Sequence, residues 1–188
     1  MRTKDENKIK AIKDAVIKLC AADGFTNLTT AKVAKTAGVS PATIYLYYKD
    51  KTDMLSRLYE EVKGELQMGV AGVIAGAGAD TEAQLRAMLH FTVTQYQKKP
   101  LASHFVSALW TNQELLDNQA RAFGSTESGA LFKLYERIQA DPAFIDAPDM
   151  VVGTLASLPT VLLQTASDDV NDAMINQTIE LVVKALRA

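Results

Sequence analysis

The sequence predicts an all-α chain of about nine helices, in which an N-terminal three-helix helix-turn-helix domain precedes a larger helical domain. Three observations predict it. Apolar residues recur at intervals of three and four almost throughout, the period of an amphipathic helix. No stretch alternates apolar and polar in the two-residue rhythm of a half-buried strand. Between the periodic segments stand Gly, Pro, Ser, Thr and Asn, the residues that start and stop helices.

The elements follow in order. Ile9, Ile12, Val16, Leu19 and Cys20 give a first helix that stops near Gly24, a natural residue for the left-handed turn past a helix end. Lys8, Lys10, Lys13 and Lys18 lie on its outer face. Thr29 caps a second helix over Thr30 to Ala37, with Val33 and Ala34 inward. Ser40 caps a third, which opens with Pro41 where a missing N–H costs nothing. A fourth begins after Lys51, with Thr52 as cap and Leu55, Leu58, Tyr59, Val62 and Leu66 as its stripe. Glycines 69, 72, 76 and 78 interrupt the pattern over residues 69–80. Thr81 to Gln84 reads as a capping box for a helix lasting to about Lys98. Further segments run from Pro100 to Trp110, Ser125 to Ala140, Met150 to Ala166 and Asp169 to Leu186. Asn112 is expected to cap a short turn, and Pro159 to kink or shift its helix.

Charge separates the halves. Residues 1–52 carry ten Lys/Arg against five Asp/Glu, and residues 53–188 carry ten against seventeen, so a net −2 chain hides a basic N-terminal part. That asymmetry points to a basic binding module joined to a neutral or acidic partner domain. We therefore divide the chain at 1–51 and 52–188. Cys20 is the single cysteine, which excludes an internal disulfide and a cysteine-based zinc cluster. His90 and His104 have no nucleophile or carboxylate at an interpretable spacing, and no P-loop, GxGxxG or HExxH occurs. The expectation is therefore no enzyme, no cofactor and no metal site. No apolar run approaches a membrane span and no signal peptide is visible, so a cytoplasmic protein without a membrane partner is expected.

The segment Thr30 to Tyr47 has the form helix, tight turn with Gly, helix. Gly38 stands where the first helix must reverse, and Val39 plugs the angle between the two. Ile44 faces the same core as Leu28, Val33 and Ala34, which leaves Ala42, Thr43, Leu46 and Tyr47 on the outer face. A helix this short fits a DNA major groove, where its first residues meet base edges. No Arg, Asn or Gln occurs between Thr29 and Lys51, so bidentate side-chain contacts to guanine or adenine are absent from the recognition helix.

Gly24-Phe25, Thr29-Thr30, Ala37-Gly38-Val39-Ser40, Thr43-Ile44-Tyr45 and Tyr48 followed by Lys51 together resemble the N-terminal domain of the TetR (tetracycline repressor) family. The likeness covers residues 7–66, with the helix-turn-helix at 30–49. Tyr48 stands where the family often has Phe, which keeps the aromatic body. The resemblance implies that Thr30, Ser40, Tyr45, Tyr47, Lys49 and Lys51 meet the phosphate backbone of double-stranded DNA, and that Ala42 and Thr43 meet bases. It implies a homodimer on a palindromic operator, paired through the last two helices, for which Val152, Leu155, Leu162, Leu163, Ile175, Ile179, Val182, Val183 and Leu186 are the candidates. It implies a repressor that a small, largely apolar effector releases, with Met88, Phe91, Gln95, His104, Phe105, Trp110, Phe123, Tyr135 and Gln164 as candidate pocket residues. An architectural or effector-independent DNA-binding protein, and an activator on the same fold, are the alternatives.

Overall fold

The computed structural model describes residues 2–124, 129–165 and 170–188, with side chains from residue 6 onward. The described residues form eleven α-helices: α1 (Arg2–Asp23), α2 (Thr30–Ala37), α3 (Pro41–Tyr47), α4 (Lys51–Gln67), α5 (Val70–Gly76), α6 (Thr81–Lys98), α7 (Pro100–Thr111), α8 (Asn118–Gly124), α9 (Ala130–Ala140), α10 (Asp149–Thr165) and α11 (Asp172–Leu186). A 3-10 turn, Gln113–Leu115, lies between α7 and α8. The fold class is thus all-α, as expected. The expected helix starts at Ser125 and Asp169, and the expected end at Ala166, fall outside the described residues.

The two unexpected helices are short. The glycine-rich break is itself helical: Gly69 (φ +94°) and Gly78 (φ +86°) bound α5, whose Val70 and Ile74 are buried. Only two apolar anchors mark α5, too few for a periodic signal. Asp117 caps α8, its carboxylate accepting from the Ala120 N–H at 2.8 Å. Two caps move by one or two residues. Asp50, not Thr52, accepts from the Asp53 N–H at 2.9 Å at the start of α4. Asp80, not Thr81, accepts from the Ala83 N–H at 2.8 Å at the start of α6. In each case a carboxylate gains more from the positive end of a helix than the nearby hydroxyl does. Asn112 makes no side-chain cap; its amide donates to the Ala108 carbonyl instead. α10 continues through Pro159, which is buried.

Packing divides the chain into two compact units. The first comprises Met1–Glu65 and Pro100–Ser125; the second comprises Leu66–Lys99 and Thr126–Ala188. In the first unit α1 packs on α2 and α7, and α2 on α3. Its buried side chains include Ile12, Val16, Leu28, Val33, Ile44, Leu58 and Phe105. Lys13 of α1 donates to Glu61 and Glu65 of α4 at 2.8 and 2.7 Å. Burial works against its charge, yet those two hydrogen bonds hold the Lys13 ammonium above the usual lysine range.

In the second unit α6 is the central helix, packed by α5, α9, α10 and α11. Arg86 of α6 bonds Glu82 and Glu180, and Arg187 bonds Glu82, which ties the end of the chain to α6. An isolated antiparallel bridge pairs Phe144 with Arg187. The dimer candidates lie at different depths in this unit. Val152, Ile175, Ile179, Val182, Val183 and Leu186 are buried in the chain's own core. Leu155, Leu162 and Leu163 are half-buried. The apolar side chains that α10 and α11 leave at the surface are Met150, Val151, Leu158, Val161, Met174 and Leu181. A helix in a small unit needs one apolar face for its own core, and the larger aliphatic residues took it.

Candidate nucleic-acid interface

The turn between α2 and α3 is built as the residue types require. The Lys32 N–H donates to the Thr29 hydroxyl at 3.2 Å, which caps α2. Gly38 adopts φ +67°, and its N–H and that of Val39 satisfy carbonyls at the end of α2. Ser40 then caps α3 through the Thr43 N–H at 3.2 Å, and its hydroxyl lies 2.9 Å from that of Thr43. Ile44 and Tyr48 are buried and anchor α3 against Leu28, Val33 and Ala34 of the same core.

The opposite face of α3 is open. Ala42 is exposed, Tyr45 is 57% exposed and Leu46 is 81% exposed. The Tyr45 hydroxyl lies 3.2 Å from that of Thr30 at the start of α2. Four hydroxyls therefore form two pairs, Thr30 with Tyr45 and Ser40 with Thr43, each hydroxyl able to donate and accept. Lys49 is exposed, and its backbone N–H donates to the Asp53 carboxylate at 2.9 Å. Lys51 is half-buried, and its ammonium donates to the Phe25 carbonyl at 2.6 Å, which ties the start of α4 to the turn after α1. Two of its three N–H donors remain beyond that bond.

Tyr47 is half-buried and lines an open cleft with Ile9, Tyr48, Arg57, Glu60 and Glu61. Arg57 donates to the Tyr47 carbonyl and lies 5.2 Å from the centre of the Tyr48 ring. Leu46, by contrast, is an apolar side chain on a polar face. Its place on the outer face was legible from the helical period, but its exposure became visible only once Ile44 and Tyr48 had taken the core.

The candidate effector residues fall into both units. His104, Phe105, Trp110 and Phe123 belong to the first, and Met88, Phe91, Gln95, Tyr135 and Gln164 to the second. Met88 and Phe105 are buried, and the Phe105 ring packs 6.2 Å from that of Phe25. Tyr135 is half-buried, and burial pushes its hydroxyl up to about 12. A residue absent from the sequence reading stands out beside them. The Lys63 ammonium of α4 lies 5.7, 5.6 and 5.8 Å from the ring centres of Tyr59, Trp110 and Phe123. The Tyr59–Lys63 spacing of one helical turn is readable in the sequence, but Trp110 and Phe123 come from α7 and α8.

A capped helix, a left-handed glycine turn and a second capped helix with an open hydroxyl-rich face define a helix-turn-helix protein of the DNA-binding class. Residues 12–58 match the bacterial regulatory proteins of the tetR family. In this N-terminal part the chain is thus similar to that family. A stretch of 58 residues is 41% identical to the Fatty acid metabolism regulator protein of Bacillus subtilis, covering 31% of this chain and 30% of that one. It is 27% identical over 137 residues to the Nucleoid occlusion factor SlmA of Citrobacter koseri, covering 73% of this chain and 64% of that protein. The matches thus span less than two thirds of either relative. In fold, the chain is similar to a TetR family transcription regulator from Marinobacter aquaeolei VT8, with a TM-score of 0.82 at 22% identity over 100% of this chain and 99% of the other. The family is one of regulatory proteins, and the expectation of a chain that is not an enzyme stands with it. Among the described residues no helix is long and apolar enough to cross a membrane.

Proposed function

We propose that this protein is a transcriptional repressor that binds a palindromic operator as a cytoplasmic homodimer and leaves it when a small organic effector binds to the helical part beyond residue 51. The observation that carries the DNA reading is the open face of α3, with its two hydroxyl pairs and the exposed Ala42 and Leu46. In this reading Thr30, Tyr45, Lys49 and Lys51 hold phosphates, and Ser40 divides its hydroxyl between the cap and the backbone of the operator. Thr43, Ala42 and Leu46 meet base edges, the two apolar side chains against thymine methyl groups. With no Arg, Asn or Gln on the face, each position discriminates by about 1–3 kcal/mol at most, and DNA shape supplies part of the specificity.

Selection of bound sequences from a random pool, followed by salt titration, tests this. A palindromic consensus is expected. Lys51→Ala should weaken binding to every sequence and flatten the salt slope by roughly one phosphate. Because Lys51 also holds the Phe25 carbonyl, Lys51→Arg serves as control and should restore the slope. Thr43→Ala should change preference at particular operator positions. A uniform loss in Thr43→Ala, or an unchanged salt slope in Lys51→Ala, would remove these residues from their roles. Binding without any sequence preference would favour an architectural protein instead.

A further inference from the structure

We propose that the cleft between α1, the end of α3 and α4 binds a small aromatic amidinium, whose N–H groups donate to the Glu60 carboxylate and the Tyr48 hydroxyl oxygen. The cleft has a volume of about 350 Å³. It is lined by Ile9 of α1, Tyr47 and Tyr48 at the end of α3, and Arg57, Glu60 and Glu61 of α4. All six belong to the first compact unit. That volume is in the range of small-molecule sites, which are apolar clefts with a few placed polar groups. Tyr48 carries the inference. It is 4% exposed and lines the cleft, and its hydroxyl makes no hydrogen bond among the described residues. A buried hydroxyl left unpaired is costly, and a ligand in the cleft supplies the missing partner. Burial, then the Glu61 charge, hold that hydroxyl above the usual tyrosine range, so it stays protonated and can both donate and accept.

The charges of the cleft select a cation. Glu60 and Glu61 share it with one guanidinium, that of Arg57. Arg57 is already committed: it donates to the Tyr47 carbonyl and lies 5.2 Å from the Tyr48 ring centre and 3.9 Å from the Asp53 carboxylate. Glu61 is paired with Lys13 at 2.8 Å. Glu60 has no ion pair among the described residues; its partner is the neutral Gln119 amide, at 3.3 and 3.4 Å. A half-buried carboxylate held by long bonds to a neutral amide gains from a charged donor. Ile9 and the two tyrosine rings offer apolar surface to a flat body. A neutral amide of the same shape gains that contact without the ion pair, and an anion meets two carboxylates. The order amidinium, then amide, then carboxylate follows for ligands of one shape. The site does not depend on the repressor reading. Only its effect on DNA does, because an occupant touches the end of α3, the helix that meets the operator in that reading.

The full chain, free of DNA, is titrated with benzamidinium, benzamide and benzoate, and its backbone amide resonances are followed by NMR. Saturable shifts are expected at Tyr47, Tyr48, Arg57, Glu60 and Glu61. Benzamidinium should bind at least about fivefold more tightly than benzamide, with benzoate weakest. Tyr48→Phe should weaken benzamidinium about threefold to tenfold. Glu60→Gln should erase the advantage of benzamidinium over benzamide. The amide spectrum checks that each variant folds; if either does not, the ranking and the shifted residues in the natural chain decide. Absence of saturation, shifts confined to other residues, equal binding of benzamidinium and benzamide, or a preference for benzoate would each overturn the proposal. So would full affinity in folded Tyr48→Phe, or an unchanged preference in folded Glu60→Gln. DNA release is scored separately. Benzamidinium that binds as stated but leaves DNA bound supports the site and counts only against a role in release. Release of DNA by other compounds, with no shift at the cleft under benzamidinium, overturns the site and leaves the repressor reading intact.

Discussion

Lys63 sits where burial and charge conflict, and the conflict has a sign. Its folded-state value is about 8, against the ordinary 10.5 of an unfolded lysine. Below pH 8 both states are charged and the folded state carries the full burial cost. Between 8 and 10.5 the unfolded chain binds more protons, so stability rises with pH through that window. Lys63→Met should therefore be more stable than the natural chain near pH 7, by about 1–2 kcal/mol, with the difference shrinking as pH climbs from 8 to 10.5. Denaturant midpoints of the two proteins across pH 7 to 10.5 check this; a constant difference would contradict it. Tyr59 and Tyr135, raised to about 12 by burial, titrate in both proteins and cancel in the comparison. Another position has its conformation set by one residue type: Gly38 holds φ +67° with open space where a Cβ would stand, so the demand there is on the backbone and not on packing.

At the scale of elements, caps decide where the binding helix begins. Ser40 accepts from the Thr43 N–H and also faces the Thr43 hydroxyl, so one side chain both starts α3 and orients a residue of the open face. Ser40→Ala should cost about 1 kcal/mol of stability by thermal or chemical unfolding. Its effect on DNA should exceed that of a simple phosphate contact, because Thr43 loses its partner as well. Equal losses in Ser40→Ala and Thr43→Ala, each confined to affinity, would argue against this coupling. The helix-turn-helix was legible almost residue by residue, since Thr29, Gly38, Ser40 and Pro41 each have a local reason for their place. The caps of α4 and α6 were not, because Asp50 and Asp80 stand close to a Thr that also caps well. The choice between two adjacent acceptors depends on how the preceding loop enters the helix, which local sequence does not encode.

For the whole molecule, the same two helices must serve a core and, in the proposed homodimer, a partner. Residues buried in the chain cannot do both. Leu181, 58% exposed on α11, and Leu158, exposed on α10, are the surface positions to test. Leu181→Asp and Leu158→Asp should shift sedimentation toward the monomer while leaving the helical signal unchanged. Ile179→Ala, two residues from Leu181 but buried, should instead cost about 2–5 kcal/mol of unfolding free energy. A dimer that survives both aspartate substitutions would place the interface elsewhere.

The sequence by itself determined the helical class, the positions of the first three helices, the glycine turn and the family likeness. Those features rest on contacts a few residues apart, where spacing and side-chain chemistry act directly. Only the tertiary structure decided which apolar faces of α10 and α11 are spent on the core, that Phe105 and Met88 are buried, and that Lys63 meets rings from three helices. Each of these depends on which elements meet, and an apolar stripe states only that it must be covered, not by what.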